Sequence, residues 1–198
     1  MSRPSIPYIG EKHCQRSSAR QKRVKSEAEP WGWSPIPLLL VLYLHGVRFV
    51  AIGSLAEFVH DVQIGPPGDL DIAVGSGATN ARRVELAISS ATRFLGGVDG
   101  PETFSAEQVA AGACVRVTTQ RGALHVVGHN DLPVTSDSLV ARRRWAFVKR
   151  MPIPIARLDD LRDLRKLKMR DRRDQERLEL LEEAVLRSKT CHPSSTML

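Results

Sequence analysis

The segment that decides the fold covers residues 47–74, VRFVAIGSLAEFVHDVQIGPPGDLDIAV. Its β-branched and aromatic start, residues 47–52, predicts a buried strand. Gly53 and Ser54 form a corner before a short helix, and a turn rich in Gly and Pro leads into a second strand at Asp69–Val74. Side chains alternate along a strand with period 2, so the two aspartates of the second strand should share a face. Two such carboxylates could hold divalent metal ions over a phosphate.

The aspartate pair has a simpler interpretation as well. Asp69 and Asp71 follow a Gly-Pro turn, where carboxylates often cap or solvate the start of a strand. A D-x-D pattern is therefore weak when it stands alone. Preceded by the corner at Gly53 and Ser54, it becomes a moderately specific combination.

The distribution of charge suits a metal centre with a polyanionic substrate. The 198-residue chain carries a net charge of +7, which is unevenly spread. Residues 1–30 hold seven Lys/Arg against three Glu, residues 31–140 six against ten acidic residues, and residues 141–198 sixteen against nine. Basic flanks around an acidic middle could grip such a substrate, although solvated Arg-rich helices would give the same pattern. Aromatic residues make up 5% of the chain, which argues against a broad base-stacking platform.

Cysteine usage and hydropathy bear on the compartment. Cys14, Cys114 and Cys191 lie far apart and show neither zinc-ligand spacing nor a disulfide framework. They favour a reducing, cytoplasmic location. The apolar run at residues 37–44 is too short to span a bilayer. The region before it is too long and contains too many Glu for a signal peptide, so we expect no membrane partner.

Composition also divides the chain into one domain with two extensions. Residues 1–34 are rich in Pro, Ser and basic residues, which predicts a disordered basic arm. Residues 35–186 hold the apolar periodicity of one domain, with about the length that one core needs. Residues 187–198 are predicted to be a flexible tail.

The remaining elements follow from periodicity and turn residues. The pattern predicts a helix over residues 36–45 ended by Gly46, a helix over 81–94, a hairpin of strands at 113–119 and 123–127, an edge strand at 151–156, and two helices or one bent helix over 158–186.

Four segments together resemble proteins of the nucleotidyltransferase fold. They are LLLVLYLHGVRFVAIGSLAEFVHD (38–61), GDLDIAV (68–74), TNARRVELAISSA (79–91) and PIPIARLDDLRDLRKLKMRDRRDQERLELL (152–181). The chain is most similar to minimal nucleotidyltransferases and to the nucleotidyltransferase toxins of toxin–antitoxin systems. The resemblance covers roughly residues 36–186. It implies an α/β (α+β) fold in which helices flank a small mixed sheet, with further helices at the C-terminal end.

The resemblance also implies a site and its ligands. The activity would be metal-dependent transfer of NMP from an NTP to a hydroxyl of RNA or protein, with Mg²⁺ or Mn²⁺ as cofactor and an antitoxin as a further partner. The implied residues are Asp69 and Asp71 as metal ligands and catalytic residues, Gly53 and Ser54 on the triphosphate, and Lys166, Lys168 or Arg172 as counter-charge to the phosphates.

One position departs from the family pattern. A third carboxylate is usual on the later strand, in the segment that matches residues 122–127, and His125 stands there instead. Imidazole is a poor Mg²⁺ ligand, although a neutral His could take the proton of the acceptor hydroxyl. Asp131 has the same strand parity as His125 and would replace the missing carboxylate only if the strand continued that far.

Two functions therefore stay open from the sequence. The first is the metal-dependent nucleotidyltransferase, with His125 as a third catalytic residue. The alternative is a catalytically degenerate domain of the same fold that binds a nucleotide, RNA or a partner protein.

Overall fold

The computed structural model describes residues 34–62, 67–99 and 104–190. Within these ranges the strands are β1 (Phe49–Ile52), β2 (Asp69–Val74), β3 (Gly97–Asp99), β4 (Val115–Thr119), β5 (Gly122–Val126), β6 (Arg144–Val148) and β7 (Met151–Ile155). They form one mixed seven-stranded sheet of order β3-β4-β5-β2-β1-β7-β6.

Seven α-helices accompany the sheet in the same described ranges. They are α1 (Ile36–Leu44), α2 (Gly53–Val59), α3 (Ala78–Phe94), α4 (Ala106–Ala110), α5 (Ser136–Arg142), α6 (Leu158–Leu167) and α7 (Arg172–Thr190). Helix α2 packs on β1 and β2 and also contacts α6, which pairs with α7. Helix α3 contacts α1, α4 and β4. The predicted fold class, a mixed sheet flanked by helices with two more at the C-terminal end, is confirmed.

The centre of the sheet positions the candidate site. Strand β2 runs antiparallel to β1 and parallel to β5. Its Leu70, Ile72 and Val74 are buried, whereas the alternate positions Asp69 and Asp71 are half-buried. The core side of this strand is therefore apolar and the opposite side carries the carboxylates, as the period-2 pattern predicts.

One hydrophobic core supports these elements. It joins α1, the central strands, α3 and α6, with fully buried side chains that include Leu38, Leu42, Ile72, Val84 and Leu139. Helix α1 is apolar all round, and it buries Leu38, Leu39, Val41 and Leu42, whereas Leu40 and Leu44 remain exposed. It ends as predicted, with Gly46 in the left-handed region at φ +62° and its N–H donating to the Tyr43 carbonyl.

At the edge of the sheet, the structure differs from the strand position that the sequence predicts. The strand predicted over residues 151–156 forms as β7, but it is not an edge strand, because β6 lies outside it. Pro152 and Pro154 have the same parity, so the N–H groups they lack would both point to one neighbour. That neighbour is β1, to which Ala156 N–H donates and with which β7 has one register pair, Ala51↔Ile155. The opposite parity of β7 is free to pair with all of β6.

Other predicted boundaries stand as follows. The hairpin forms as β4 and β5, and the C-terminal segment forms two helices rather than one. Strand β3 was not predicted. Helix α7 continues to Thr190, four residues beyond the predicted domain end, while residues 1–33 of the predicted arm and 191–198 of the predicted tail lie outside the described residues. Across the described part of the chain, no helix combines the length and the apolar character needed to cross a bilayer.

Candidate functional site

The two aspartates of β2 stand beside the end of β1. Asp71 is the register partner of Ile52, the last residue of β1, so the chain leaves β1 at Gly53 directly next to the Asp71 side chain. Asp69 lies two residues earlier on the same face. The corner and the carboxylates that the sequence singled out therefore lie together.

Gly53 is required by the Asp71 carboxylate itself. Its φ is +65°, in the left-handed region that favours glycine. A Cβ at this position would lie 2.1 Å from Asp71 Oδ2 and 2.9 Å from Asp71 Cγ. The carboxylate thus packs directly over the corner, and no other residue leaves room for it.

Ser54 contributes a buried hydroxyl to the same place. Its Oγ has no hydrogen-bond partner among the described residues. A buried hydroxyl without a partner costs about 1–3 kcal/mol. Because Ser54 also lines a cavity with both aspartates, a ligand oxygen or N–H in that cavity could satisfy it.

The cavity has a volume of about 280 Å³. Its walls come from the β1–α2 corner, from β2 and from helices α6 and α7. The lining residues include Gly53, Ser54, Glu57, Asp69, Asp71, Arg165, Lys168 and Arg177. Carboxylates on one wall and cations on another are the arrangement that a metal-bound phosphate needs.

Arg165, like Arg177, is a cavity-lining cation that sequence reasoning missed. It forms an ion pair with buried Glu57 through Nη2 and with Asp174 through Nη1 at 2.9 Å. Arg165 is 12% exposed and Glu57 2%. One oxygen of Glu57, Oε2, has no hydrogen-bond partner in the described part of the chain. No sequence signal pairs residues 108 positions apart, so only the fold reveals this contact between α2, α6 and the start of α7.

The three predicted phosphate-binding cations lie in different places. Lys168 lines the cavity, and its charge offsets a small part of the rise that burial causes in the pKa of Asp69. Lys166 is half-exposed and forms an ion pair with Glu182 at 3.1 Å. Arg172 is 92% exposed and pairs with Glu176. Neither Lys166 nor Arg172 is among the residues that line the cavity.

His125 lies directly opposite Asp71. Parallel pairing of β2 with β5 makes the two residues register partners, and His125 Nδ1 lies 2.9 Å from Asp71 Oδ1. An ionised carboxylate can only accept, so this hydrogen bond places a proton on Nδ1 and leaves Nε2 as the basic nitrogen. The third-carboxylate position of the family pattern is thus occupied by an imidazole that bonds to a carboxylate.

Asp131 does not take over that position. Strand β5 ends at Val126, and Asp131 closes a 3₁₀ turn over His129–Asp131. Its Oδ2 accepts from Cys114 Sγ at 2.8 Å. The continuation of the strand that would have aligned Asp131 with His125 is absent.

The electrostatics of the aspartate pair favour a bound cation. Burial and the neighbouring charge of Asp71 raise the pKa of Asp69, while Arg116, His125 and Lys168 act in the opposite direction. Arg116, a neighbour of His125 on β4, approaches Asp69 Oδ2 at 3.6 Å. At Asp69, burial and the neighbouring carboxylate together therefore outweigh the effect of the three positive groups on its pKa.

These residues fit a divalent metal that takes only part of its coordination shell from the protein. Among the residues that the structure describes, no three His, Cys, Asp or Glu side chains are placed to hold a metal ion together. Mg²⁺ is commonly bound by one or two carboxylates plus substrate phosphates and water. Asp69 and Asp71 match that ligand set. A closed metal site in which the protein supplies four or more ligands does not match these residues.

Comparisons with known proteins give likenesses among solved structures rather than among families or curated sequences. No family model matches the chain, and no curated protein matches it. A candidate nucleotidyltransferase from Thermotoga maritima, known from a crystal structure, superposes with a TM-score of 0.46 at 16% identity. The superposition covers 84% of this chain and 100% of the other. A likeness this distant says nothing about the substrate or activity of the present chain.

Proposed function

We propose that this protein is a metal-dependent nucleotidyltransferase that moves NMP from an NTP to a hydroxyl of RNA or protein. One observation carries the proposal: Asp69 and Asp71 line a single cavity together with the Gly53-Ser54 corner and Lys168. Carboxylates for a metal, a corner for phosphate oxygens and a cation for charge are the three parts that such a reaction requires.

Asp69 and Asp71 would hold Mg²⁺ or Mn²⁺. Divalent ions at such a site supply charge stabilisation to the attacking and leaving oxygens of an in-line displacement. The half-buried setting of both carboxylates strengthens their electrostatic effect relative to water. The close packing of Asp71 on Gly53 holds that carboxylate in one orientation.

The corner and Lys168 would hold the triphosphate. The buried Ser54 hydroxyl can donate to a phosphate oxygen. Lys168 offers a point charge from the opposite wall. Arg165, engaged by Glu57 and Asp174, would mainly fix that wall in place.

His125 would act on the acceptor hydroxyl. With Nδ1 bonded to Asp71, its Nε2 is the nitrogen that can take the hydroxyl proton as attack begins. Asp71 then stabilises the imidazolium that forms. We further propose a cytoplasmic setting, which suits the exposed free thiol of Cys114, and an antitoxin as a regulatory partner.

Labelled nucleotides test the transfer. The protein is incubated with each labelled NTP, Mg²⁺ or Mn²⁺, and total RNA or cell lysate, and label on RNA or protein is measured. The double variant Asp69→Asn, Asp71→Asn should abolish labelling. The matched control is Asp163→Asn, which removes a half-exposed carboxylate paired with Arg162 outside the cavity lining and should keep full activity. Absence of labelling with every NTP, or labelling that survives the double change, would refute the proposal.

A second candidate function is supported by the same hydrogen bond. His125 occupies one oxygen of Asp71 and Arg116 lies against Asp69, so a degenerate domain could use the cavity only to bind a nucleotide, RNA or a partner protein. His125→Asp would then create the third carboxylate. Metal-dependent labelling that appears only in this variant favours the degenerate domain, whereas a loss of labelling relative to wild type favours His125 as the base.

A further inference from the structure

Strand β6 forms one edge of the sheet, separated from β2 by β1 and β7, and it exposes two aromatic rings. We call the unit of β6, its turn and β7 the edge hairpin, residues 144–155. Trp145 is 55% exposed and Phe147 53%. The two lie two residues apart, so both rings are on one face of β6, whereas Val148 on the other face is buried. Neighbouring exposed rings of this kind form a patch typical of interaction sites, whereas single exposed apolar side chains are ordinary.

The surroundings of these rings are strongly cationic. Residues 138–158 contain six Lys/Arg and no Asp or Glu. The six are Arg142, Arg143, Arg144, Lys149, Arg150 and Arg157. Arg143 places its guanidinium over the Trp145 ring, 5.3 Å from the centroid. Arg144, Lys149 and Arg150 are exposed, and Arg142 donates to Asp160.

The turn of the edge hairpin has a strained backbone, and its two residues carry two of these cationic side chains. Val148 pairs with Met151, so Lys149 and Arg150 form a two-residue turn. Their φ angles are +47° and +68°. Such turns strongly prefer Asn-Gly or Gly-Gly, because both positions need a positive φ. Long cationic side chains at both positions are costly for folding, and strain of this kind concentrates at functional surfaces.

A small cavity adjoins the exposed Trp145. It measures about 200 Å³, and its lining includes Tyr43, Phe49, Arg48, Arg143 and Trp145. This is below the roughly 300–1,000 Å³ of pockets that enclose a whole drug-sized ligand. A single flat ring with a nearby negative charge matches its size, its aromatic walls and the guanidinium of Arg143, since the Arg48 guanidinium already pairs with Asp137 at 3.2 Å.

Two simpler roles for this edge do not explain the rings. Charges on edge strands discourage pairing between copies, but that purpose is served without exposing Trp145 and Phe147. A second copy of the chain would bring the exposed cations Arg144, Lys149 and Arg150 against the same three cations, which opposes association. The charge calls for a polyanion, and the rings call for flat groups to stack on.

We propose that the edge hairpin binds single-stranded nucleic acid. Unstacked bases lie on Trp145 and Phe147, and the adjoining phosphates meet Arg144, Lys149 and Arg150. Two rings accommodate one or two bases, which agrees with the low aromatic content of the chain. The proposal does not depend on nucleotidyl transfer, because binding is measured with neither metal nor NTP present.

Fluorescence anisotropy with the full chain and labelled oligonucleotides tests the ligand class. Single-stranded RNA and DNA of mixed sequence, the matching duplex, and vesicles of phosphatidylserine and phosphatidylcholine are compared at several salt concentrations. We expect single strands to bind more tightly than duplex, with affinity that falls steeply as salt rises. Equal affinity for duplex, or competition by vesicles as effective as that by unlabelled single strand, would overturn the proposal.

Variants locate the surface on the edge hairpin. Trp145→Ala should weaken single-strand binding by about ten-fold, the typical loss for one stacked base. The matched control is Phe94→Ala, which removes another exposed ring under an arginine, with Arg93 5.4 Å from the ring centroid. That control should leave affinity unchanged. An equal loss in both variants, or none in Trp145→Ala, contradicts the assignment.

A second variant separates binding from folding. Lys149→Asn with Arg150→Gly installs the residues that this turn prefers, so the melting temperature should stay the same or rise. The same change removes two phosphate contacts, so single-strand affinity should fall and the salt dependence should decrease by about two units of slope. Retained affinity in this stable variant would overturn the role of the turn.

Discussion

At the scale of single residues, Gly53 joins backbone conformation to the position of a carboxylate. Its positive φ and the Asp71 oxygen 2.1 Å from where a Cβ would lie both exclude a side chain. We therefore expect Gly53→Ala to lower the free energy of unfolding by about 1–2 kcal/mol from the left-handed backbone alone, and by more from the displaced carboxylate. Urea unfolding of the variant and of the wild type measures this change in the free energy of unfolding.

Gly68→Ala is the control for that experiment. Gly68 lines the same cavity, but a Cβ there would meet no atom within 4 Å. Its free energy of unfolding should stay within about 0.5 kcal/mol of wild type. Equal destabilisation by the two changes would show that the contact between Gly53 and Asp71 is not the cause.

His60 gives a prediction on pH. Burial lowers the pKa of His60 below its ordinary 6.5, a shift that Arg144 favours and that the hydrogen bond to the Ala156 carbonyl and the charge of Asp61 oppose. The unfolded chain therefore takes up a proton near pH 6.5 that the folded chain does not. Stability is complete above that pH and falls as pH drops from 6.5 towards the folded pKa.

Chemical unfolding from pH 8 to pH 5 would check this. His60→Gln removes the titrating group, so its free energy of unfolding should fall less with decreasing pH than that of wild type. The difference in slope can reach about 1.4 kcal/mol per pH unit, the limit for one proton. Parallel pH profiles for the two proteins would contradict a depressed pKa at His60.

Lys168 and Lys166 lie only two residues apart, so a comparison of the two distinguishes the effect of a cation in the cavity from that of a cation at the surface. Lys168 lines the cavity, whereas Lys166 pairs with Glu182 at the surface. Lys168→Gln should weaken binding of a magnesium-bound NTP by about ten-fold, since it removes a charge-assisted phosphate contact worth about 1.4 kcal/mol. Calorimetric titration should find little change for Lys166→Gln. The reverse order would place the phosphates elsewhere.

At the scale of elements, the ion pairs of Arg165 tie together three helices. Glu57 comes from α2, Arg165 from α6 and Asp174 from α7. Arg165→Met would leave the 2%-exposed Glu57 carboxylate without its counter-ion, which typically costs about 3–5 kcal/mol. Adding Glu57→Gln should recover part of that lost stability, because it removes the buried negative charge that has no counter-ion. Thermal or urea unfolding measures both variants.

A surface ion pair provides the comparison. Lys166→Met breaks the pair with Glu182, in which both side chains are about half exposed. Its cost should be below about 1 kcal/mol. If Arg165→Met costs no more than Lys166→Met, then the network of α2, α6 and α7 does not depend on the buried pair.

The edge of the sheet shows how neighbouring strands decide what one strand can be. Prolines at 152 and 154 suggest an edge from the sequence, yet their shared parity leaves every donor on the β6 side intact. The consequence is a seven-stranded sheet whose outer strand carries Arg144 and two exposed aromatic rings. Alternation along β7 was readable from the sequence, but its pairing on both sides was not.

At the scale of the whole molecule, ligand binding should be visible as stability. A ligand that binds only the folded chain stabilises it by about 2.7 kcal/mol at a hundred times its dissociation constant. An NTP with Mg²⁺ should therefore raise the melting temperature, and neither component alone should do so to the same extent, because Asp69 and Asp71 need the phosphates to complete the metal ligands. Differential scanning fluorimetry gives the shift.

The variant Asp69→Asn, Asp71→Asn is the control for that shift. It should unfold cooperatively without ligand and show no additional stabilisation from the metal-bound nucleotide. A shift of equal size in this variant would mean that the nucleotide binds outside the cavity. This measurement is informative for both candidate functions, because a degenerate domain would still bind the nucleotide without transferring it.

Much of the central fold is determined by local sequence. Alternating apolar residues set β2, and β-branched and aromatic residues set β1. A glycine able to take positive φ ends α1, and the same property forms the corner at Gly53. Period 2 placed the two aspartates on one face before any tertiary contact was known. These features depend on residues a few positions apart, so they can be read from the chain directly.

The contacts between residues that are far apart in the sequence were decided only by the tertiary structure. The bond from His125 to Asp71 spans 54 positions, and the contact from Arg165 to Glu57 spans 108. The choice of Lys168 rather than Lys166 or Arg172 for the cavity depends on how α6 and α7 pack on α2. Burial, pairing and charge compensation depend on strand order and helix packing, which arise from the whole core at once. The sequence by itself determined the two carboxylates and their corner, and the folded molecule decided which side chains surround them.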